Sequence, residues 1–399
     1  MTLRPGSLRP DGRLATLGVL GGGQLGRMFV QAAQAMGYRT VVLDPDAHSP
    51  AGAVAHRHLQ AAYTDEAALA DLAADCDAVT TEFENVPAQV LRRLAESVAV
   101  APSADAVATC QDRALEKARF QACGVPCVPH AVLAGPADLS AVGPGLFPAI
   151  LKTATLGYDG KGQVRVERAQ DLPAAWATLG GVRCLLEKRV ALAGELSVVL
   201  ARDAAGACVH LPVQHNLHRD GILAVTRSPA PGLEPATAQR AVAHAQAIAA
   251  SLGYVGVLCV EFFLLEDGSL LANEMAPRPH NSGHHSLDSC DVSQFGLQVR
   301  TLAGLPLPTP RQHSPAVMLN LLGDLWFAGR SDPAAGGARP STPPWERVLA
   351  LPGVSLHLYG KGEPRPGRKM GHLTVTGAQP DQALQVARQA TAALGLPGF

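Results

Sequence analysis

The chain has 399 residues, 47% of them hydrophobic, and a formal net charge of −1, which is enough length and apolar content for two or three domains with buried cores. A pI near 6.9 gives no overall basic field to draw it to nucleic acid or an anionic membrane, so phosphate binding has to be local. No apolar run in the sequence is long enough to span a bilayer.

Residues 1–13 lack an apolar h-region and are expected to form a disordered leader ahead of a cytosolic domain. Thr16–Leu20 reads as a short strand running into Gly21-Gly22-Gly23-Gln24-Leu25-Gly26. Met28, Phe29, Ala32 and Met36 follow at helical spacing, then a strand, Thr40–Leu43, ending in Asp44. This is a βαβ unit carrying G-x-G-x-x-G, with an acid close to the distance a dinucleotide fold uses. A nicotinamide cofactor is one use for the helix N-terminus so exposed; a glycine turn that only lets helix pack on strand is the other. The strand Ala78–Thr81 delivers Glu82 to the carboxyl end of the same sheet, where open α/β folds bind ligands, while Glu84 and Asn85 fit the start of a helix. A helix over Asp112–Ala122 follows a domain boundary near Cys110.

The eight cysteines are dispersed, which suggests reduced thiols in ordinary packing. Cys123, Cys127 and His130 lack the second ligand pair of a zinc finger. Phe147–Leu151 is an apolar strand closed by Lys152, and Gly157-Tyr158-Asp159-Gly160-Lys161-Gly162-Gln163 separates it from Val164–Val166. A glycine-rich loop between strands can cradle phosphates with its N–H groups, although it lacks the Gly-Lys-Ser/Thr ending and following helix of a Walker loop. Beyond the apolar stretch to Glu187 come Lys188, Arg189, Val190 and Glu195. A strand edge there suits a base and Glu195 a ribose, or both glutamates are surface groups. Asn216, His218 and Asp220 are read in a polar loop entering a strand.

The segment 261–285 carries the most chemistry. Asp267-Gly268 between apolar runs is a strong hairpin signal. A two-residue loop there pairs 265 with 270 and, counting on, Glu261 with Glu274. Phe263, Leu265, Leu270 and Ala272 then share the glutamates' face, Val260, Phe262, Leu264 and Leu271 load the other, and the hairpin reads as buried on both sides. Facing anions in a buried strand pair repel and lose hydration, so a cation is expected between them. Mg²⁺ is the natural candidate, completing its coordination with substrate phosphates. A slipped register with one glutamate exposed is the alternative. Arg278, His280, Asn281 and His284 crowd the stretch that follows. Farther on, Ser331–Pro344 reads as an exposed loop, and the tail from Gly353 forms strands and a last helix, Asp381–Leu394. Its cations Lys361, Arg365, Arg368 and Lys369 are constrained by Pro364, Pro366 and Gly367, which suits a preformed phosphate site.

A strand–lysine–glycine loop–strand segment, a nucleotide-edge strand and a paired-glutamate hairpin followed by Arg and Asn together resemble the ATP-grasp fold. GGGQLGRM, TTEFENV, GYDGKGQ, HNLHRDGI, NEMAPRPHNSGHH and YGKGEPRPGRKMGH are similar to the motifs of the N5-carboxyaminoimidazole ribonucleotide synthetase (PurK) family of purine biosynthesis, over nearly the whole chain from about Ala15. The leader, the Ser331–Pro344 loop and Lys161, where some members carry arginine, depart from it. The resemblance implies an α/β (α+β) protein: a leader over 1–13, a Rossmann-like pre-ATP-grasp domain over 14–112, an ATP-grasp domain over 113–304 and a small C-terminal α/β domain over 305–399. It implies a cytoplasmic homodimer that joins bicarbonate to 5-aminoimidazole ribonucleotide through carboxyphosphate, at the expense of ATP.

Position by position, the resemblance implies Arg113, Lys152 and the loop 157–163 at the ATP phosphates, Glu187, Lys188, Arg189 and Val190 at adenine, Glu195 at the ribose and His218 at the nucleotide. Glu261 and Glu274 would carry Mg²⁺, with Asn273 beside them. Arg278, His280 and Asn281 would hold bicarbonate and carboxyphosphate. Glu82, Tyr158 and Asp159 would surround the aminoimidazole, Asp159 either orienting its amine or taking its proton, and Lys361 and Arg368 would grip its ribose phosphate. A nicotinamide dehydrogenase would use the first glycine motif but leave the glutamate pair, the second loop and the basic tail unexplained. Another ATP-grasp ligase, such as formate-dependent glycinamide ribonucleotide transformylase, is opposed by APRPHNSGHH together with RPGRK, and a catalytically dead nucleotide-binding protein by the intact glutamate pair and Lys152.

Overall fold

The computed structural model describes residues 2–9, 11–157, 162–327 and 340–399. The chain opens with β1 (Thr16–Leu20), α1 (Gln24–Ala35), β2 (Arg39–Leu43), β3 (Arg57–Leu59), α2 (Glu66–Asp75), β4 (Ala78–Thr81), α3 (Ala88–Ala95) and β5 (Ala99–Val100). The strands form a parallel sheet in the order β3-β2-β1-β4-β5. Every residue of β1 and β4 is buried, as in parallel strands covered on both faces. The order reverses between β1 and β4, whose last residues, Leu20 and Thr81, are paired. Gly21 and Glu82 therefore both emerge at the switch point of the sheet, the usual binding crevice of such folds.

The segment expected to be a disordered leader is tied down. Leu3 is buried, its amide donates to the Ala303 carbonyl at 2.8 Å, and its own carbonyl accepts from the Tyr38 hydroxyl at 2.6 Å. Arg9 and Arg13 pair with Asp77 and Asp75. One apolar anchor and two ion pairs suffice where average composition suggests none.

After α4 (Ala104–Cys110) and α5 (Arg113–Ala122), β6 (His130–Leu133), α6 (Pro136–Ala141), β7 (Ala149–Thr153), β8 (Gln163–Val166), α7 (Leu172–Thr178) and β9 (Cys184–Lys188) build a four-stranded antiparallel sheet in the order β6-β9-β7-β8. Leu139 of α6 and Leu172 and Ala175 of α7 pack on Leu133, Leu151, Val166 and Leu186 of this sheet. A larger antiparallel sheet takes β10 (Leu192–Arg202), β11 (Cys208–His210), β12 (Gln214–Arg219), β13 (Ile222–Ser228), β14 (Gly256–Leu265) and β15 (Leu270–Ala276), with α8 (Pro235–Ser251) between β13 and β14. Next come α9 (Ser286–Ser289), α10 (Gln294–Ala303), β16 (Ala316–Leu322), α11 (Trp345–Leu349), β17 (Val354–Leu358), β18 (Lys369–Thr376) and α12 (Pro380–Leu394). The strand order is β15-β14-β10-β12-β13-β16-β18-β17, with β11 beside β10. The sheet thus runs through the division expected at residue 304, because β16 pairs with β13.

Helix α8 covers one face of this sheet through Ala241, Ala245 and Ile248. Helix α10 touches both large units: Phe295 and Val299 pack against Leu25 and Phe29 of the first domain, and Leu297 against Val257 and Cys259 of β14. The stretch read as a polar loop at 214–219 is instead strand β12, closed by an Asp220-Gly221 turn with both φ angles positive. Its polar Asn216 is buried, donating to Ser197 Oγ and accepting from Thr226 Oγ1, so alternation of polarity fails as a guide there. All eight cysteines are free. Among the described residues no helix is long and apolar enough to cross a membrane. Of the loop expected at Ser331–Pro344, residues 331–339 lie outside the described residues.

Candidate active site

Strands β14 and β15 bring Glu261 opposite Glu274, by a route different from the two-residue loop expected. Leu264 pairs with Leu270, Phe263 with Leu271 and Phe262 with Ala272. The turn is therefore three residues, Glu266-Asp267-Gly268, with Gly268 at φ +78°, a left-handed position that suits glycine. The one-residue offset is reversed by a bulge at Asn273, which restores the glutamate pair. In consequence Leu271 shares the glutamates' face, whereas Leu270 and Ala272 join Phe262 in the core beneath α8. The hairpin is also not buried on both sides: Phe263, Leu265 and Leu271 are half-buried. The bulge lets two successive residues, Asn273 and Glu274, line one cleft, which regular strand alternation forbids.

That cleft has a volume of about 1050 Å³ and lies between the first domain's strand ends, the small sheet and the large sheet. Glu82, Arg113, Lys152, Gly157 and Gln163 line it, as do Glu195, His218, Glu261, Arg278, His280 and Asn281. Its charges are paired in a definite order. Arg113 Nη1 lies 2.9 Å from Glu274 Oε2. The Glu187 carboxylate is buried between Lys117 Nζ at 3.0 Å and Lys152 Nζ at 2.5 Å. Burial works to raise its pKa, but the two ammonium groups hold it down to about 2. Burial and the facing Glu274 push Glu261 up. Burial works to raise Glu274 too, yet Arg113 and Lys152 keep it below the ordinary carboxylate value. One carboxylate of the pair is bonded to Arg113 and held down, while the other is pushed up despite His218 and Lys369, which is the asymmetry an added cation would relieve.

The atoms around the pair fit such an ion. Glu261 Oε1, Asn273 Oδ1 and both polar side-chain atoms of Asn281 are buried without a hydrogen-bond partner among the described residues. Carboxylate and amide oxygens are the ligands that hard divalent cations take. His280 Nε2 stands 3.4 Å from Glu261 Oε1, and its Nδ1 meets Ser282 Oγ at 2.9 Å. Burial, and then Arg278, push the His280 pKa well below its ordinary value, so this imidazole is neutral at pH 7. His218 Nδ1 is bonded to the Glu195 carboxylate. Burial opposes charge on that ring, but Glu195 raises its pKa overall.

The first glycine motif is filled by the protein itself. The amides of Gly23 and Gly26 donate to Glu82 Oε1 and Oε2 at 2.6 and 2.7 Å, and the amide of Gly22 donates to Asp44 Oδ2 at 2.6 Å. A Cβ on Gly21 or Gly23 would stand 2.3 Å from Glu82 Cγ or 2.4 Å from its Oε1. The helix N-terminus that binds a pyrophosphate in dinucleotide folds holds a carboxylate here, which removes the basis for a nicotinamide cofactor.

Glu187, Lys188, Arg189, Val190, Lys361 and Arg368 are not among the described residues that line the cleft, whereas Lys369 is. Tyr158, Asp159, Gly160 and Lys161 fall outside the described residues, and Gly162 anchors the far end of their loop by accepting from the Thr153 amide. Glu187 is no surface glutamate. The amides of Lys188 and Arg189 already donate to the carbonyls of Pro129 and Pro148, and the Arg189 side chain turns outward to Glu167. Lys361 Nζ donates to the Lys369 carbonyl at 2.7 Å and acts electrostatically on Glu82. Arg368 points to the Glu363 carbonyl.

Three site residues escape the sequence reading. Glu84, expected at a helix start, is an ion-pair partner of Arg278. Glu116 and Lys117 are buried and share a helix face with Arg113; charges at i, i+3 and i+4 on one face were the available signal.

Lysines from two elements converging on a buried glutamate, beside a facing carboxylate pair, define an ATP-grasp enzyme. The description "ATP-grasp domain" matches residues 118–295, "Ribonucleotide synthetase preATP-grasp domain" 14–111, and "Phosphoribosylaminoimidazole carboxylase C-terminal domain" 316–386. The N5-carboxyaminoimidazole ribonucleotide synthase of Brucella melitensis is 43% identical over 376 residues, 94% of this chain and 97% of that protein. Its Bacillus subtilis counterpart is 38% identical over 372 residues, 93% and 94% of the two chains. The crystal structure of an N5-carboxyaminoimidazole ribonucleotide synthetase with ADP matches with a TM-score of 0.88 at 36% identity, covering 99% of this chain and 98% of that one. The Aspergillus clavatus synthase with ADP and 5-aminoimidazole ribonucleotide matches with a TM-score of 0.86 at 34% identity, covering 96% and 98%. The chain belongs to the N5-carboxyaminoimidazole ribonucleotide synthase family.

Proposed function

We infer that the chain is an ATP-dependent carbon–nitrogen ligase that carboxylates 5-aminoimidazole ribonucleotide with bicarbonate, in de novo purine biosynthesis. The observation that carries this reading is the single cleft lined by the Glu261–Glu274 pair, Arg113 and Lys152 together with Glu82 and Arg278. A phosphoryl-transfer apparatus and an acceptor site in one cavity suit a two-stage ligase.

Bicarbonate is a weak nucleophile and ATP a polyanion that repels it, so cationic charge is needed where the phosphates lie. Arg113 and Lys152, which line the cleft, supply it. Glu261 and Glu274, with Asn273 Oδ1 beside them, would hold Mg²⁺, which when bound adds neutralising charge at the phosphates. A bicarbonate oxygen attacks the γ-phosphorus, the bond to the bridging oxygen of ADP breaks, and carboxyphosphate forms beside Arg278 and Asn281. Glu84 holds the Arg278 guanidinium in place, while neutral His280 contributes hydrogen bonding and no charge. The exocyclic amine then attacks the carboxyl carbon, phosphate leaves with the electrons of the C–O bond, and the amine gives up a proton. Glu82 would orient the aminoimidazole ribonucleotide, with Asp159 and Tyr158 as further contacts and Asp159 as a candidate for the proton. Glu195 and His218 would serve the ATP ribose, and the backbone about Val190 the adenine. Lys361, and Arg368 turned from Glu363, would take the ribose phosphate. Carboxyphosphate is water-labile, so exclusion of water by the 157–163 loop is part of the reading. A cytoplasmic homodimer is the form we propose, by family resemblance.

An ADP-release assay with each component omitted in turn tests this. Release is expected to require both bicarbonate and 5-aminoimidazole ribonucleotide at full rate, and undiminished release without the ribonucleotide overturns the substrate assignment.

A further inference from the structure

Strand β15 is the edge of the nine-stranded sheet, and among the described residues its outer row of backbone groups meets no further strand, only an isolated bridge from Cys127 to Ala272. It is also bulged at Asn273, and a bulge weakens the ladder just where Glu274 is presented. The missing strand is replaced by α5 and the loop after it. The Ala272 amide donates to the Pro126 carbonyl at 2.7 Å. Lys117 Nζ donates to the Asn273 carbonyl at 2.6 Å, and the Met275 amide donates to Glu116 Oε1 at 2.6 Å. The last two contacts bracket Glu274 on either side. Glu116 is 2% exposed, so no bulk water can take over its bond to Met275.

We propose that Glu116 is a positioning residue: its carboxyl oxygen stands in for the absent strand at the Met275 amide and so fixes the peptide that carries Glu274 in the orientation the metal-binding pair requires. This rests on the reading of Glu261 and Glu274 as the metal pair. Side-chain period in a strand is two, so a bulge that relaxes by one residue turns Glu274 away from Glu261. A backbone amide locked by a buried acceptor blocks that slip. Lys117 cannot do the same alone, because its ammonium group is shared with Glu187.

The test compares Glu116→Gln, which keeps an acceptor oxygen in the same shape, with Glu116→Leu, which removes it, and Glu116→Asp, which keeps charge and polarity but withdraws the oxygen by one methylene. Mn²⁺ binding to the ADP complex is followed by loss of the free-ion paramagnetic resonance signal, beside ADP binding without metal and thermal midpoints. Leu and Asp are expected to weaken Mn²⁺ binding about 10- to 100-fold, the range for residues that orient metal ligands. Gln is expected to stay within about twofold of wild type, and in Leu and Asp metal-free ADP binding is expected to fall less than Mn²⁺ binding does. Wild-type Mn²⁺ binding in Leu or Asp overturns the proposal, as does Gln behaving like Leu; Asp and Gln keep the test open should Leu not fold. Glu274→Gln is measured in parallel. If it binds Mn²⁺ normally, the metal reading itself fails; if it loses Mn²⁺ while Leu and Asp keep it, only the positioning role fails.

Discussion

Arg278 and Glu84 lock together across the cleft: the guanidinium Nε lies 2.5 Å from the Glu84 carboxylate, and the two residues are 194 positions apart in the chain. The contact joins the loop after β4 to the segment that leaves β15. Burial works to raise the Glu84 pKa, but Arg278 holds it down to about 2 against an ordinary value of 4.5. A depressed carboxylate contributes stability that is fully present above pH 4.5 and is lost as pH falls toward 2. With partial solvent access allowed for, the contribution is on the order of 2 kcal/mol. Glu84→Gln is therefore expected to lower stability at pH 7 and to flatten its decline between about pH 5 and 2. Urea denaturation at several pH values checks this; parallel profiles for wild type and variant would refute it.

Much of this site was legible in the sequence, and the exceptions have physical causes. Paired glutamates, Lys152 and the APRPHN run announce themselves because carboxylates and cations in otherwise apolar strands demand partners. The hairpin pairing of Glu261 with Glu274 was right although two of its premises were not: the loop is longer by one residue and a bulge at Asn273 compensates. Bulges leave no periodic signature when the extra residue is polar and half-buried. Glu84 and Arg278 were read singly because sequence spacing says nothing about contacts 194 residues apart. The glycine motif stayed open for another reason: glycines mark a close approach to α1, but not whether the approaching anion is a phosphate or Glu82.

That cradle yields a prediction. A Cβ on Gly23 would stand 2.4 Å from Glu82 Oε1, so Gly23→Ala must displace the carboxylate or break the Gly23 hydrogen bond. The expected result is a rise of about tenfold or more in KM for aminoimidazole ribonucleotide, the cost of about 1.4 kcal/mol of lost orientation, with ATP KM little changed. NADH fluorescence should show no binding to either protein; a clear micromolar signal would restore the dinucleotide reading.

The carboxylate pair makes a stronger demand. Arg113 is bound to Glu274, so Glu274→Ala removes a candidate metal ligand and also leaves a buried guanidinium without its partner. ADP release is expected to fall at least 100-fold, beyond the cost of losing a residue that only orients a metal ligand. Normal turnover at ordinary magnesium would sink the metal assignment.

Arg368 precedes Lys369, which lines the cleft, and it tests the proposed ribose-phosphate contact. Its Nη1 now donates to the Glu363 carbonyl at 2.7 Å, a contact to a neutral acceptor that a phosphate would outcompete, because charge-assisted bonds are roughly twice as strong as neutral ones. Binding of the ribonucleotide should therefore recruit Arg368 from Glu363 while leaving the Glu261–Glu274 pair untouched. Arg368→Ala is expected to raise the ribonucleotide KM by about 10- to 100-fold, the loss of one charge-assisted contact of about 1.5–3 kcal/mol, at nearly constant kcat and ATP KM. Loss of kcat with an unchanged ribonucleotide KM would place Arg368 outside substrate binding.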